Sequence, residues 1–116
     1  MKLLAQRNCG KDNNYVLVKH DDGKYAIYFT NITQTSFKND DYISKRYLAN
    51  YDGSKEEVLK KYENDEIEFK ELLRFYKKEY ERVKGTIYED YARAVYSNLA
   101  SSDKATRELI EVLRTA

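Results

Sequence analysis

Two runs rich in β-branched and aromatic residues flank an Asp-Gly pair in the first quarter of the chain. They cover residues 15–20 and 25–30, with Asp22-Gly23 between them. Asp and Gly tolerate the positive φ angles of a type I′ turn, so the pattern predicts a two-residue loop and a β-hairpin across Val16–Phe29. Because an isolated hairpin is only marginally stable, we expect a third strand, for which residues 2–8 are the nearest candidate.

The two-residue loop fixes the predicted register, with Asp21 opposite Lys24. One face of the hairpin is then apolar and consists of Val16, Val18, Ile27 and Phe29. The other face is partly apolar and carries Tyr15, Leu17 and Tyr28. A sheet that is apolar on both faces is either covered twice or uses one face for binding.

Apolar positions recur with helical spacing in the second half of the chain. Ser54 and Glu57 match a capping box, which predicts a helix start. A second cap signal at Asn64 or Asp65 predicts that this first helix is short and that a longer helix follows at 66–84. The longer helix begins with acidic and ends with basic residues, as the helix dipole favours. Its apolar stripe consists of Phe69, Leu72, Leu73, Tyr76, Tyr80 and Val83.

A further apolar stripe follows Gly85, which is expected to end the long helix. Ser101 or Ser102 then predicts a break before a last helix. The stripe comprises Tyr88, Tyr91, Ala92, Val95, Tyr96 and Leu99, and the last helix turns Leu109, Ile110 and Leu113 inward. With short connections, three to four helices are expected to pack as antiparallel neighbours.

The segment between the hairpin and these helices has a weaker pattern. Residues 31–41 are a polar connection. Ile43, Tyr47 and Tyr51 then fall near one helical face, so we favour a short helix that closes near residue 53. A strand over Tyr42–Leu48 is the alternative.

These elements predict an α+β fold and a single domain, 1–116, in which residues 1–38 are mainly β and residues 54–116 are helical. An N-terminal antiparallel β-hairpin or three-stranded sheet packs against a C-terminal antiparallel helical bundle. Hydrophobic residues make up 41% and charged residues 35% of the chain. That is enough apolar material for a core and is not typical of a disordered protein.

The charges balance, with 21 basic and 20 acidic residues, so no global field favours nucleic acid, membranes or acidic substrates. The lone Cys9 excludes an internal disulfide, and the first eight residues are too polar for a signal-peptide core. No stretch approaches the roughly 18 apolar residues that cross a bilayer. We therefore expect a cytoplasmic protein without a membrane partner.

No residue set matches a catalytic, metal or nucleotide-binding signature. Cys9 and His20 are the only thiol and imidazole, and the orienting group and oxyanion hole that nucleophilic catalysis also needs are not marked. A structural zinc site needs about four Cys or His ligands. The four glycines are isolated, which excludes a phosphate-binding loop. We expect a non-enzymatic protein without cofactor or metal, and a small enzyme using Cys9 and His20 is the third hypothesis.

Composition adds a hypothesis about the protein's origin and role. Lys, Tyr, Asn and Ile fill 40 of the 116 positions, and the chain has no Pro and no Trp. All four residues have A/T-rich codons, which indicates a low-GC bacterium or a phage or mobile element within one. The small size then favours an accessory or inhibitory protein that occupies a surface of a protein or nucleoprotein partner.

Tyrosine supplies the candidate contacts for such a partner. The 12 tyrosines are more than a core of this size can bury with every hydroxyl paired, and Tyr is frequent at interface hot spots. The predicted register exposes one set on the sheet, and the acidic start of the long helix supplies another. The predicted partner-binding residues are Tyr15, Leu17, Tyr28, Glu66, Ile67 and Glu68.

A nucleic-acid-binding regulator is the alternative function. Cations and aromatic rings interleave between residues 37 and 51, as on surfaces that bind single strands, and a second basic patch lies late in the long helix. Neighbouring acidic residues dilute both patches. The candidate residues are Lys38, Tyr42, Lys45, Arg46 and Tyr47 in the first patch, and Lys77, Lys78, Arg82 and Lys84 in the second.

Overall fold

The computed structural model describes residues 1–10, 13–30 and 49–116. These residues form four strands and then two long helices, so the fold class is α+β, as the sequence predicts. The count differs, because three strands and three to four helices were expected. The elements are β1 (Lys2–Asn8), β2 (Asn14–Lys19), β3 (Tyr25–Thr30), β4 (Ala49–Gly53), α1 (Lys55–Val83) and α2 (Glu89–Thr115).

The strands form one antiparallel sheet in the order β1-β2-β3-β4. β1 is the predicted third strand, and that prediction is confirmed. β4 is a correction, since the favoured short helix was to end near residue 53, whereas Tyr51 pairs with Ile27 of β3 in an extended conformation. The alternative strand, Tyr42–Leu48, lies outside the described residues.

The turn between β2 and β3 has three residues rather than two. The His20 amide donates to the Lys24 carbonyl over 2.8 Å, and the Gly23 amide donates to the His20 carbonyl over 3.0 Å. Gly23 has a φ angle of +88°, as expected of the left-handed residue that follows a type I turn in such loops. The predicted type I′ turn is therefore wrong, and the register shifts by one residue, so that Leu17 opposes Ile27 and Val16 opposes Tyr28.

A one-residue shift exchanges side chains between the two faces of the hairpin. Leu17 and Ile27 are fully buried on the face that packs against the helices. Tyr28 lies on the other face, in a buried cluster with Val16, Val18 and Ala26. The side chains at the centre of both faces are thus buried, and the expected open surface of Tyr15, Leu17 and Tyr28 does not form.

α1 begins at the predicted capping box and then continues further than expected. The Ser54 hydroxyl accepts a hydrogen bond from the Glu57 amide over 3.1 Å, and the Glu57 carboxylate accepts one from the Ser54 amide over 3.3 Å. The predicted break at Asn64 or Asp65 is wrong, because both residues are helical. α2 likewise runs through both serines at 101 and 102 without a break.

The two helices are antiparallel and meet the sheet at only one end of the pair. Lys55 Nζ, in the first turn of α1, donates to the carbonyls of Arg114 and Ala116 at the end of α2. The buried core lies at this end, which we call the base. It contains Leu17, Ile27 and Tyr51 from the sheet, Val58 and Tyr62 from α1, and Leu109, Ile110 and Leu113 from α2.

Candidate protein-binding surface

The helices extend well beyond the sheet. α1 has 29 residues, which gives it a length of about 43 Å at 1.5 Å per residue, whereas a strand of 5 to 7 residues spans roughly 17–23 Å. The molecule measures 51 × 28 × 22 Å, in keeping with a long projection. We call the projecting part, residues 66–83 of α1 and 89–102 of α2, the helical arm.

Within the arm the helices cover each other, and no third layer covers them among residues 1–10, 13–30 and 49–116. The residues along their contact seam are half-buried, and no described arm residue is buried to the degree seen at the base. The seam residues are Phe69, Leu73, Tyr76, Tyr80 and Val83 of α1, and Ala92, Val95, Tyr96 and Leu99 of α2. A helix pair can close only one stripe of each helix, so apolar residues beside the seam stay accessible.

One edge of the seam is an apolar groove, which we call the arm groove. Its most prominent side chains are Phe75, Tyr88 and Tyr91, which are 56%, 62% and 76% exposed. The groove has a volume of about 400 Å³. It is lined by these three rings and by Tyr76, Glu79, Arg82, Val83, Ala92 and Val95, and Leu72, 44% exposed, lies one turn before Phe75 and Tyr76.

The other edge of the seam is closed by polar contacts. The Arg93 guanidinium lies over the Tyr80 ring, 5.8 Å from its centroid, and donates to the Tyr80 hydroxyl over 3.4 Å. Arg93 also forms ion pairs with Glu89 and Asp90 at 3.4 and 3.2 Å. Lys84 Nζ lies 5.9 Å from the same ring. The arm groove therefore lies along one edge of the seam, and these polar side chains cover the opposite edge.

The arm groove lies on the side of the helix pair that packs on the sheet. Tyr91 precedes Leu109 by 18 residues, and Val95 precedes Leu113 by the same number, which is five turns of 3.6 residues. Leu109 and Leu113 are fully buried at the base. Tyr91 and Val95 therefore point to the same side of α2 as Leu109 and Leu113, but they lie beyond the end of the sheet.

A pocket of about 260 Å³ marks the inner corner where the sheet ends and the arm begins. Tyr15 and Asn50 of the sheet line it together with Asp65 and Phe69 of α1 and Asp103 of α2. Its carboxylates already have partners. Asp65 accepts a hydrogen bond from the Tyr51 hydroxyl over 3.1 Å, Glu66 pairs with Lys70 and Asp103 pairs with Arg107, both at 3.3 Å.

Burial raises the pKa of two tyrosines at this corner. The pKa of Tyr51 is raised well above its ordinary value by burial first and by the neighbouring Asp65 carboxylate second. Burial, with the charges of Glu66 and Asp103, also raises the pKa of Tyr62. The Tyr62 hydroxyl is buried and has no hydrogen-bond partner among the described residues. Both groups therefore favour the neutral form.

Of the six residues predicted to bind a partner, Tyr15 and Glu66 line the pocket at the inner corner, but the six do not form one surface. Leu17 and Tyr28 are buried on opposite faces of the sheet, at 0% and 5% exposure, so the predicted exposure of both is wrong. Tyr15 is half-buried against the Phe29 ring, with 5.1 Å between centroids. Glu66 is half-buried and Glu68 exposed. Ile67 is 66% exposed and, from its spacing, lies on the outer side of α1, away from the arm groove.

The alternative nucleic-acid surface is only partly described. The predicted residues Lys38, Tyr42, Lys45, Arg46 and Tyr47 lie outside the described residues. The second patch is exposed but divided, because Lys77 and Lys84 fall on one side of α1 and Lys78 and Arg82 on another, from their helical spacing. Arg82 also pairs with Glu79 at 2.8 Å.

Cys9 and His20 lie at opposite ends of the sheet. Cys9 follows the end of β1, where Asn8 pairs with Asn14, and His20 follows the other end of β2. Six strand residues between them correspond to about 20 Å. Cys9 is buried, and burial raises the pKa of its thiol, while His20 Nε2 lies 2.9 Å from the Tyr28 hydroxyl. The two groups therefore cannot act as a nucleophile and base pair.

Other candidate features are few. Within residues 1–10, 13–30 and 49–116, no group of three or more His, Cys, Asp or Glu side chains could hold a metal ion. Of the helices in the same part of the chain, neither is long and apolar enough to cross a membrane. Comparison with protein-family models, curated proteins and solved structures found no match. The arm groove is thus the strongest candidate site.

Sequence reasoning missed the arm groove because it assigned Tyr88 and Tyr91 to a stripe inside a bundle and gave Phe75 no role. The signal that could have found it is the width of the stripe. Leu72, Phe75 and Tyr76 together span about a third of the circumference of α1, more than one helix neighbour can cover.

Proposed function

We propose that this chain is a non-enzymatic binding protein that acts by occupying a protein surface through the arm groove. One observation carries the proposal: three aromatic side chains, each more than half exposed, line the groove on a projecting helix pair. At 150–250 Å² per ring, they expose roughly 300–500 Å² of aromatic surface. Patches of that size are the largest on typical monomeric proteins and are often functional.

The groove suits a protein better than a small ligand. It runs along two helices, and the described part of the chain gives it no third wall that would enclose most of a small molecule as ligand pockets do. Grooves between helices accept the apolar side of another helix, with anchors spaced by one turn. Phe75, Tyr88 and Tyr91 supply rigid aromatic anchors, which carry most of the binding energy at such interfaces.

The biological role proposed here is that of an accessory or inhibitory protein of a phage or mobile element. The support is the small size, the A/T-linked composition and a surface suited to covering another protein. Genomic neighbourhood is the direct check, since the role requires the gene to lie among phage or mobile-element genes. A location within a housekeeping operon would contradict this part of the proposal.

The binding function is tested by affinity capture from host lysate with three forms of the chain. Phe75→Ser combined with Tyr91→Ser should lose proteins, second copies of the chain included, that the wild type retains. Ile67→Ser is the matched control, because it removes an exposed apolar side chain from the same arm outside the groove. A captured set that is the same for all three forms would contradict the assignment of the groove to binding.

A further inference from the structure

The surface of the molecule has a step, which we define as the drop from the edge of the sheet to the uncovered face of the helical arm. The length of the arm sets the length of this step. The sheet packs on one side of the base, and the arm groove faces the same side beyond the sheet. The α1 part of the arm has 18 residues, so the step is about 27 Å long. Its depth is that of one layer, because a sheet and a helix each pack at about 10 Å. A second helical arm therefore matches, in both dimensions, the step that the described residues form.

Charge along α1 changes sign about the centre of this surface. Glu68 lies seven residues before Phe75 and Arg82 lies seven residues after it. Glu71 and Lys78 fall between these ends, and all four charged residues are exposed. The exception is Glu79, which is paired with Arg82 of its own chain at 2.8 Å. A surface that is acidic at one end, apolar in the middle and basic at the other complements an antiparallel copy of itself.

The apolar area is of the order that a small specific dimer needs, since only about 56–65% of an interface is apolar. Two copies of the three groove rings together contribute roughly 600–1,000 Å², against about 1,200 Å² in total at the lower end of specific interfaces. Leu72 and Ile87, 44% and 89% exposed, add to the rings. Isologous dimers bury the same patch on both subunits.

From these observations we propose that the arm groove is filled by a second copy of the chain, with the two arms antiparallel and their Phe75 side chains near a two-fold axis. The proposal rests on the proposed function in assigning the groove to protein binding, and it names the occupant. The arms form a four-helix layer, in which α1 packs against α1 of the other copy and each arm tip reaches the inner corner of its partner.

Sedimentation velocity over a range of protein concentrations measures this association. The wild type and a Lys77→Ser control, which changes an exposed residue on the opposite side of α1 from Phe75, should show a concentration-dependent species of twice the 13.8 kDa chain mass. Phe75→Ser combined with Tyr91→Ser should stay monomeric at the same concentrations. Because these side chains are more than half exposed, the variant is expected to fold, which circular dichroism verifies. A wild type that remains monomeric throughout would overturn the proposal.

Charge exchange tests the antiparallel arrangement. Glu68→Lys with Glu71→Lys makes the surface basic throughout, and Lys78→Glu with Arg82→Glu makes it acidic throughout. Each variant alone should lose most of the dimer, and an equimolar mixture should restore it, because opposite surfaces then meet. If each variant dimerises alone as well as the wild type, or if the mixture stays monomeric, the antiparallel dimer is wrong.

The two proposals fail in distinguishable ways. A monomeric wild type, combined with a captured protein that is lost on Phe75→Ser and Tyr91→Ser, overturns the dimer and supports binding through the groove to another protein. A dimer that survives those substitutions overturns the groove as the dimer interface, and a captured set that they leave unchanged overturns the groove as a binding site.

Discussion

The base and the arm are built from the same two helices, yet they differ in what their apolar residues contact. At the base, Leu109 and Leu113 of α2 are fully buried against the sheet. In the arm, Tyr91 points in the same direction five turns earlier and is 76% exposed. The amphipathic pattern is continuous across both regions, whereas the sheet is not. Helical periodicity therefore reports which side of a helix is apolar, and strand length decides how much of that side is covered.

The largest expected difference is between the losses of unfolding free energy caused by replacing Leu109 at the base and Phe75 in the arm with alanine. Leu109→Ala leaves a cavity in a fully buried site and should lower the free energy of unfolding by about 2–5 kcal/mol. Phe75→Ala removes a side chain that is 56% exposed and should change it by less than about 0.5 kcal/mol. Urea denaturation, at protein concentrations below those of self-association, measures both. Equal losses would show that the arm is stabilised as the base is.

A smaller contrast in the free energy of unfolding concerns the N-cap residue, which precedes each helix. Ser54→Ala removes the side-chain capping hydrogen bond of α1 at the base and should cost about 1 kcal/mol. Tyr88 precedes α2 at the arm tip and makes no side-chain cap, so Tyr88→Ala should cost less than about 0.5 kcal/mol. The same denaturation experiment compares them, and a larger loss for Tyr88 would indicate a packing role at the tip.

Alkaline pH should act on the base through Tyr51. Its pKa is raised in the folded state, and an unfolded tyrosine ionises near pH 10. The stabilisation is therefore complete below about pH 10 and is lost as pH rises above it, because only the unfolded state releases the proton. Denaturation between pH 8 and pH 11 should show this loss, and Tyr51→Phe should make the profile flatter. An unchanged slope would assign the pH dependence to other groups.

The smallest expected effect is at Tyr62. Its hydroxyl is buried without a partner among the described residues, so replacement by a ring of the same shape leaves no group unsatisfied. Tyr62→Phe should therefore be neutral or slightly stabilising. A loss above about 1 kcal/mol in urea denaturation would mean that the hydroxyl forms a hydrogen bond in solution, one with ordered water included.

The sequence predicted those parts of the fold that depend on local chemistry. The Ser54–Glu57 capping box and the strand at residues 2–8 are confirmed. The predicted helix breaks at Asn64 or Asp65 and at Ser101 or Ser102 are wrong. Side-chain caps can start a helix but do not force one to stop, whereas Gly and Pro interrupt it. Neither of the latter residues occurs within α1 or α2.

The hairpin shows how a small local error becomes a large error in the site. Asp22-Gly23 is compatible with both a two-residue and a three-residue loop, and only the hydrogen bonds of His20 distinguish them. One residue of slip placed Leu17 and Tyr28, which were expected on one face, on opposite faces of the sheet. The width of the apolar stripe on α1 indicates residues that one helix neighbour cannot cover. The position of the arm groove was nevertheless not predictable, because the lengths of the helices relative to the sheet become known only with their ends.

The unbroken helices of the arm also have a mechanical consequence. The projection contains no hinge residue from 66 to 83 or from 89 to 102, so it should move as a rigid lever about the base. With a lever of about 27 Å, a rotation of roughly 10° at the base displaces the tip by about 5 Å. A force applied to Ile87 and Tyr88 at the tip would therefore be transmitted to Leu109 and the sheet. A small rearrangement of the base would in turn displace the tip.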